Sequence, residues 1–222
     1  MHKSVQRLNL IKDKVKEIID KNQLKISPKI IAITKTFPLE EITPLLDLGH
    51  LHFGENKLQE AEKKWSPIKV KYNNLQLHMV GKLQSNKAKP AVNLFDYIHS
   101  LDNEKLARKI AQHESELSKK VKLFIQVNIA EESQKSGILL KDLQSFYNFC
   151  TKELSLKVIG LMCLPPINSD SVKYFKILKN NSEKFNLTNL SMGMSGDWEQ
   201  AILNGATHIR LGTAIFGKRK SN

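Results

Sequence analysis

Lys35 closes an apolar, β-branched run, Ile30-Ile31-Ala32-Ile33-Thr34, and is followed by Thr36, Phe37 and Pro38. A buried strand that ends in a lysine puts an amine at the mouth of a core. Partial loss of hydration there disfavours the ammonium form. A neutral amine attacks aldehydes, so the position suits a Schiff-base lysine. A lysine at a strand end also serves simply to reach water, so the choice turns on what else reaches the same rim.

Several other residues bear on that rim. Arg210 sits in the apolar stretch His208-Ile209-Arg210-Leu211-Gly212 and shares a face with Gly212 by the period of two. Turned inward, its guanidinium needs an acceptor, either a structural ion-pair partner or the ring nitrogen of a ligand. Gly212 would let that ligand approach the backbone. Met192-Gly193-Met194-Ser195-Gly196-Asp197 carries a strand into a helix, with Ser195 placed to cap it. Gly212-Thr213 adds backbone donors and a hydroxyl, and the two pieces together read as a phosphate cradle. Asn56, after Phe53-Gly54-Glu55, has an amide that could bond a phenolic oxygen, with Glu55 orienting the loop; a plain turn is its other role. His78 lies in the polar stretch Leu77 to Lys87. Asn128 and Met162 fall near the ends of inner strands. These three are candidate pocket residues, with core packing the default role for His78 and Met162.

The elements that must position these groups alternate. Residues 5–24 carry apolar positions at Val5, Leu8, Ile11, Val15, Ile18 and Ile19, spaced for one helix face. Eight β-rich runs follow, at 30–34, 50–54, 75–81, 97–101, 123–129, 158–164, 190–194 and 208–212. Helical periodicity fills 40–48, 58–64, 86–94, 103–119, 139–154, 171–185 and 197–204, and a short turn covers 213–216. Strand-helix alternation implies parallel strands with right-handed crossovers. Eight units match a single (β/α)8 TIM barrel of class α/β with an additional N-terminal amphipathic helix, against an open doubly wound sheet as the alternative. The expected domain is 1–222, with the helix at 1–24 and the barrel at 30–217. Barrel active sites sit at the C-terminal strand ends, where Lys35, Asn56, Ser195, Gly212 and Thr213 all fall.

Composition narrows the function classes. No apolar run of membrane length and no signal-peptide core occur in the 222 residues. Cys150 and Cys163 lack metal-ligand spacing, so a cytoplasmic protein without a metal is expected. The net charge of +13 raises nucleic acid as a partner. Only Arg7, Arg108, Arg210 and Arg219 are arginines, however, and the lysines are dispersed over most of the helical segments. Bidentate base and phosphate reading favours arginine. A solvated lysine surface, with neither nucleic acid nor membrane as partner, is the expectation.

Taken together the motifs resemble the pyridoxal phosphate homeostasis proteins, an alanine-racemase-like family. The likeness rests on Ala32-Ile33-Thr34-Lys35-Thr36, Gly54-Glu55-Asn56-Lys57-Leu58-Gln59-Glu60, His78-Met79-Val80-Gly81-Lys82-Leu83-Gln84-Ser85-Asn86-Lys87, Ile98-His99-Ser100-Leu101-Asp102, Gln126-Val127-Asn128-Ile129, Lys135-Ser136-Gly137, Gly160-Leu161-Met162, Leu190-Ser191-Met192-Gly193-Met194-Ser195 and Arg210 to Gly217. The resemblance implies pyridoxal 5′-phosphate as cofactor, with Lys35 as its Schiff base. Asn56 would lie near the phenolic oxygen and Arg210 near the pyridine nitrogen. Ser195, Gly212 and Thr213 would hold the phosphate. Two departures stand out: Phe37 replaces a second lysine carried by many members, and Lys57-Leu58 replaces a common Tyr-Val.

What the resemblance implies is a carrier or buffer in intracellular vitamin B6 and amino-acid homeostasis, a monomer with apo pyridoxal-phosphate enzymes as partners. The alternative is a racemase-like enzyme. An arginine beside the pyridine nitrogen leaves it unprotonated and a poorer electron sink. Racemisation also needs a second base on the opposite face, which alanine racemases take from a further β-domain of a partner subunit. This chain ends at Asn222, shortly after the eighth strand. His78, Tyr97 and His99 are the candidates for such a base, and no catalytic residue is assigned.

Overall fold

The protein is described by a computed structural model covering residues 1–72 and 74–218. Residues 219–222, the end of the expected 1–222 domain, lie outside the described residues, as does Asn73. The strands are β1 (Lys29–Ile33), β2 (His52–Glu55), β3 (Gln76–Met79), β4 (Tyr97–Leu101), β5 (Lys122–Val127), β6 (Val158–Cys163), β7 (Asn189–Ser191) and β8 (His208–Leu211). They pair in sequence order, all parallel, and β8 returns to β1, with Ile31 opposite Arg210 and Ala32 opposite Leu211. The expected (β/α)8 barrel is therefore the observed fold.

Around it lie α1 (Lys3–Lys21), α2 (Leu39–Asp47), α3 (Leu58–Lys69), α4 (Ala88–Leu94), α5 (Glu104–Glu116), α6 (Leu143–Asn148), α7 (Ser171–Glu183), α8 (Trp198–Leu203) and α9 (Thr213–Phe216). The apolar stripe of α1, Val5, Leu8, Ile11, Val15 and Ile18, is buried, and α1 packs on α9, α2 and α8. Arg7 Nη1 donates to Ile215 O at 3.5 Å, tying α1 to α9. Asn103 and Asp170 cap α5 and α7 by accepting from Leu106 N and Val172 N.

Two local expectations are corrected. Residues 139–154 do not form one helix: a 3₁₀ turn, α6 and a π turn at Phe149–Glu153 succeed one another. Thr151 Oγ1 donates to Tyr147 O at 2.8 Å, drawing off a helical acceptor where the ladder widens. Ser195 does not cap the helix after β7 either. That helix starts at Trp198, and Asp197 occupies the capping position with its Oδ1 accepting from Met194 N at 2.7 Å.

The main apolar core is the layer between strands and helices, where Ile30, Ala32, Leu77 and Ile209 meet Leu45, Trp65, Leu106 and Phe175. Along strands β2, β3, β4 and β8 the opposite face brings His52, His78, Tyr97, His99 and His208 into mutual ring contact inside the barrel, beside Phe124. Barrel interiors are usually filled by branched aliphatics, so this one is unusually polar. Burial holds His78 and His99 well below the ordinary imidazole range and pushes His52 to about 4 and His208 to about 3. His50, buried outside this group, goes to about 4, also mainly through burial. Among the described residues, no helix is long and apolar enough to cross a membrane.

These histidines make stability acid-sensitive. Unfolded, each titrates near 6.5; folded, each titrates lower, so the unfolded chain binds more protons between the two values. Stability is at its plateau above pH 6.5 and falls as pH drops from there towards about 4. The urea midpoint should therefore fall steeply between pH 7 and pH 5, with net proton uptake on unfolding; a flat midpoint over that range would contradict the neutral-histidine interior.

Candidate functional site

At the C-terminal ends of the strands a cavity of about 540 Å³ opens. Lys35, Asn56, Ser195, Arg210, Gly212 and Thr213 all line it, so six of the expected site residues converge. Its lining contains three cationic side chains, Lys35, Lys135 and Arg210, and no carboxylate. Ile33, Phe37, Val80 and Leu164 give it apolar walls. Such a site suits a ligand with a flat apolar body and anionic or acceptor groups at its edges.

Lys35 is held by a polar clamp beneath it. The Glu55 carboxylate is fully buried, and its Oε1 accepts from Thr34 Oγ1 at 2.6 Å, Lys64 Nζ at 2.8 Å and Trp65 Nε1 at 2.9 Å. Lys64 spends its other two donors on Thr34 O at 2.7 Å and Glu60 Oε1 at 3.0 Å. Glu60 Oε1 in turn accepts from Thr36 N at 2.6 Å. The residues on both sides of Lys35 are thus pinned by β2 and α3. Thr36 adopts φ 67°, a left-handed conformation that a β-branched residue rarely takes. Strain of this kind persists only where the surroundings impose it, and it gathers at functional sites. Lys64, Glu60 and Thr34 were not singled out from sequence. The i,i+4 spacing of Glu60 and Lys64 was the available signal.

The Arg210 guanidinium is buried in the barrel. Nη1 donates to Ser191 Oγ at 2.5 Å and Nη2 to Cys163 O at 2.9 Å, both neutral acceptors. Burial lowers its pKa to about 10, which leaves it cationic at neutral pH. The structural ion pair considered from sequence is not what holds it. Ser195 Oγ accepts from Ala214 N at 3.2 Å, joining the β7 and β8 loops where both border the cavity. Thr213 opens α9, so its N–H has no intrahelical acceptor. Asn56 packs against Gly81 so closely that a Cβ there would lie 2.2 Å from Asn56 O, which is why glycine stands at 81.

Asn128 is an organiser. Its amide donates to Glu132 O at 2.8 Å and accepts from Glu132 N at 3.2 Å, fixing the loop that presents Lys135 to the cavity. Gly137, at φ 128°, lies with its would-be Cβ 2.5 Å from Asn128 N, and this explains the Lys135-Ser136-Gly137 motif. Lys135 pairs with Glu132 at 2.5 Å.

Two expected cofactor residues are elsewhere. His78 is fully buried in the barrel, stacked on Tyr97 and bonded to two other histidines. Met162 is fully buried against Tyr97 and Phe124. Neither is among the residues lining the cavity, because the period of two turns both into the interior below it. The two cysteines are buried, and burial raises both thiols to about 12, so neither is a ready nucleophile. Among the described residues no histidine, cysteine or carboxylate group is arranged to hold a metal ion.

Comparison with known proteins agrees with this architecture. The family described as "Alanine racemase, N-terminal domain" matches residues 8–220. The pyridoxal phosphate homeostasis protein of Synechocystis is 37% identical over 202 residues, covering 87% of this chain and 92% of its own length. That of Escherichia coli K12 is 33% identical over 199 residues, covering 86% and 85%. The chain belongs to the pyridoxal phosphate homeostasis protein family. A solved structure with the same fold is PipY of Synechococcus elongatus with pyridoxal phosphate bound. It is 33% identical, with a TM-score of 0.79 over 91% of this chain and 100% of that one. Phe37, one of the two departures noted from the sequence, stacks on Phe216 with ring centroids 4.7 Å apart and gives the cavity an apolar wall.

The clamp has a measurable energy. Removing one member of a buried ion pair leaves the other charge uncompensated and costs roughly 3–5 kcal/mol. Glu55→Ala and Lys64→Met should each lower unfolding free energy by about that much, and the double variant should lose clearly less than the sum. Additive losses in urea titrations would show that the two side chains do not act as one unit.

Proposed function

We propose that this chain binds pyridoxal 5′-phosphate in the cavity, holds it as a Schiff base on Lys35, and serves intracellular vitamin B6 and amino-acid homeostasis as a carrier or buffer. The observation that carries the reading is the buried Arg210, a cation hydrogen-bonded among the described residues only to neutral partners, facing the same cavity as Lys35. The lining fits this group by its chemistry: an amine for the aldehyde, cations and no carboxylate around an anion, and apolar walls for the ring. Family membership and the name of the PipY structure support the same ligand. When bound, the cofactor supplies an electrophilic aldehyde conjugated to a ring that can draw off electrons.

The residues divide the work by position. Lys35, pinned through Thr34 and Thr36, presents its amine to the aldehyde. Ser195 Oγ and the N–H groups of Gly212 and Thr213 would hold the phosphate. The Asn56 amide would bond the phenolic oxygen. Arg210 would donate to the pyridine nitrogen and keep a proton off it, which limits the ring as an electron sink and favours holding over turnover. His78, Tyr97 and His99 are engaged with one another in the barrel interior, so none offers a base to the cavity's other face. The reading makes the protein a cytoplasmic monomer whose partners are apo-enzymes that take the cofactor. A racemase-like activity is the alternative that kinetics must test.

Mixing the protein with pyridoxal phosphate should give a visible absorption band, and borohydride should fix one pyridoxyl group on Lys35. Lys35→Ala should retain no reducible adduct, and a labelled peptide from any other lysine of the native chain would refute the assignment. Pyridoxal without its phosphate should bind far more weakly, since each lost charge-assisted hydrogen bond costs roughly 1.5–3 kcal/mol. Equal affinity for the two forms would remove the phosphate cradle. Loaded protein should pass cofactor to an apo-enzyme yet turn over free amino acids negligibly; ordinary turnover, about 1–1000 per second, abolished in Lys35→Ala, would establish the enzyme instead.

A further inference from the structure

Three histidines stand in line inside the barrel. His52 Nδ1 lies 3.0 Å from His78 Nε2, and His78 Nδ1 lies 3.0 Å from His99 Nε2. His99 Nδ1 then meets Ser191 Oγ at 2.8 Å, and Arg210 Nη1 donates to that same oxygen at 2.5 Å. His78, His99 and Ser191 are fully buried. His52 is half-buried at the start of β2, on the N-terminal side of the barrel, where it borders a surface depression with Lys29 and His50. Arg210 lines the cavity at the opposite side. The line therefore joins the cavity to solvent across the length of the barrel.

Donor arithmetic gives the line a direction. A guanidinium only donates, so Ser191 Oγ accepts from Arg210 and its own hydrogen is left for His99 Nδ1. His99 then carries its hydrogen on Nε2 and donates to His78 Nδ1. By the same step His78 donates from Nε2 to His52 Nδ1, and His52 keeps an Nε2–H at its half-exposed end. The reverse direction makes Ser191 Oγ accept twice and strands a buried hydroxyl hydrogen without an acceptor, which is costly. His208 stands beside the line, with its Nδ1 on Thr207 Oγ1 at 2.9 Å, and takes no part in it.

We propose that Ser191, His99, His78 and His52 form a hydrogen-bond relay of one polarity that positions the Arg210 guanidinium as a fixed donor at the cavity. These are positioning residues, and none touches the ligand. The proposal rests on the reading that the cavity holds pyridoxal phosphate with its ring nitrogen at Arg210. Burial keeps the rings neutral, as the direction requires. The charged and titratable groups facing them are Lys29, Lys122 and Asp96 around His52, His208 and Lys29 near His78, and His208 and Arg210 near His99.

The test is long-range ¹H–¹⁵N NMR of the histidine rings in the full chain, recorded without cofactor at pH 7.5. His52, His78 and His99 should all be neutral, protonated at Nε2 and bare at Nδ1. An Nδ1–H tautomer or a charged ring at His78 or His99 would overturn the relay whether or not the protein binds pyridoxal phosphate. A second arm uses Ser191→Ala, which cuts the link to Arg210, and Ser191→Thr, which keeps the hydroxyl. Ser191→Ala should weaken pyridoxal phosphate binding about tenfold, the scale of one charge-assisted hydrogen bond, and shift the absorption band of the loaded protein. Competition by inorganic phosphate should stay within about twofold, since the phosphate contacts are untouched, and Ser191→Thr should restore the band. Unchanged affinity and spectrum in a folded Ser191→Ala would refute the positioning role. Failure of the native protein to bind pyridoxal phosphate would instead refute the underlying reading, leaving the ring tautomers to decide the relay.

Discussion

A guanidinium buried without a carboxylate partner among the described residues is the constraint from which much of the structure follows. Arg210 comes into the barrel from β8, and its two terminal nitrogens find only a hydroxyl and a backbone carbonyl. A buried cation so placed is expensive unless its remaining donors meet an acceptor and its neighbours are arranged to tolerate it. The interior supplies that tolerance. It holds imidazoles and aromatic rings beside Ile31, Ile33 and Met162, and burial keeps those imidazoles uncharged beside the cation. The apolar layer between strands and helices is left to do the ordinary work of holding the barrel closed.

Around this cation the two ends of the chain's chemistry are assembled by different devices. Lys35 is placed by backbone: the strand ends, the chain turns through a left-handed threonine, buried Glu55 and Lys64 hold Thr34 on one flank, and Glu60 holds Thr36 on the other. The side proposed for the phosphate is placed by loop-to-loop contact, with Ser195 Oγ accepting from Ala214 N at the start of α9. Rigid placement of a few polar groups in an otherwise apolar pocket is how small-molecule sites obtain orientation at little entropic cost. On the proposed reading, with Arg210 at the ring nitrogen, such a site would suit storage of a reactive cofactor.

The fold was almost wholly legible in the sequence, and the site mostly so, for physical reasons. Alternating periods of two and 3.6 are imposed by strand and helix geometry, so eight repeats announced the barrel and the N-terminal stripe announced α1. Lys35, Asn56, Ser195, Arg210, Gly212 and Thr213 were readable because strand ends converge at one rim. His78 and Met162 lie below the cavity, a depth the sequence does not encode, because a strand tells which face a residue occupies and not how far down the barrel axis it lies. Ser195 is no cap because the helix begins only at Trp198 and its Oγ accepts from Ala214 N instead. Lys64 and the histidine line were missed because both depend on pairings across strands and helices that no local pattern encodes.

The most direct measurement is ¹⁵N NMR of the protein loaded with pyridoxal phosphate enriched at its ring nitrogen. With Arg210 donating, that nitrogen should stay unprotonated throughout the neutral pH range, and its resonance should move in Arg210→Gln. A ring nitrogen that carries a proton in the native protein, or a resonance indifferent to Arg210→Gln, would contradict the placement of the cofactor on the buried guanidinium.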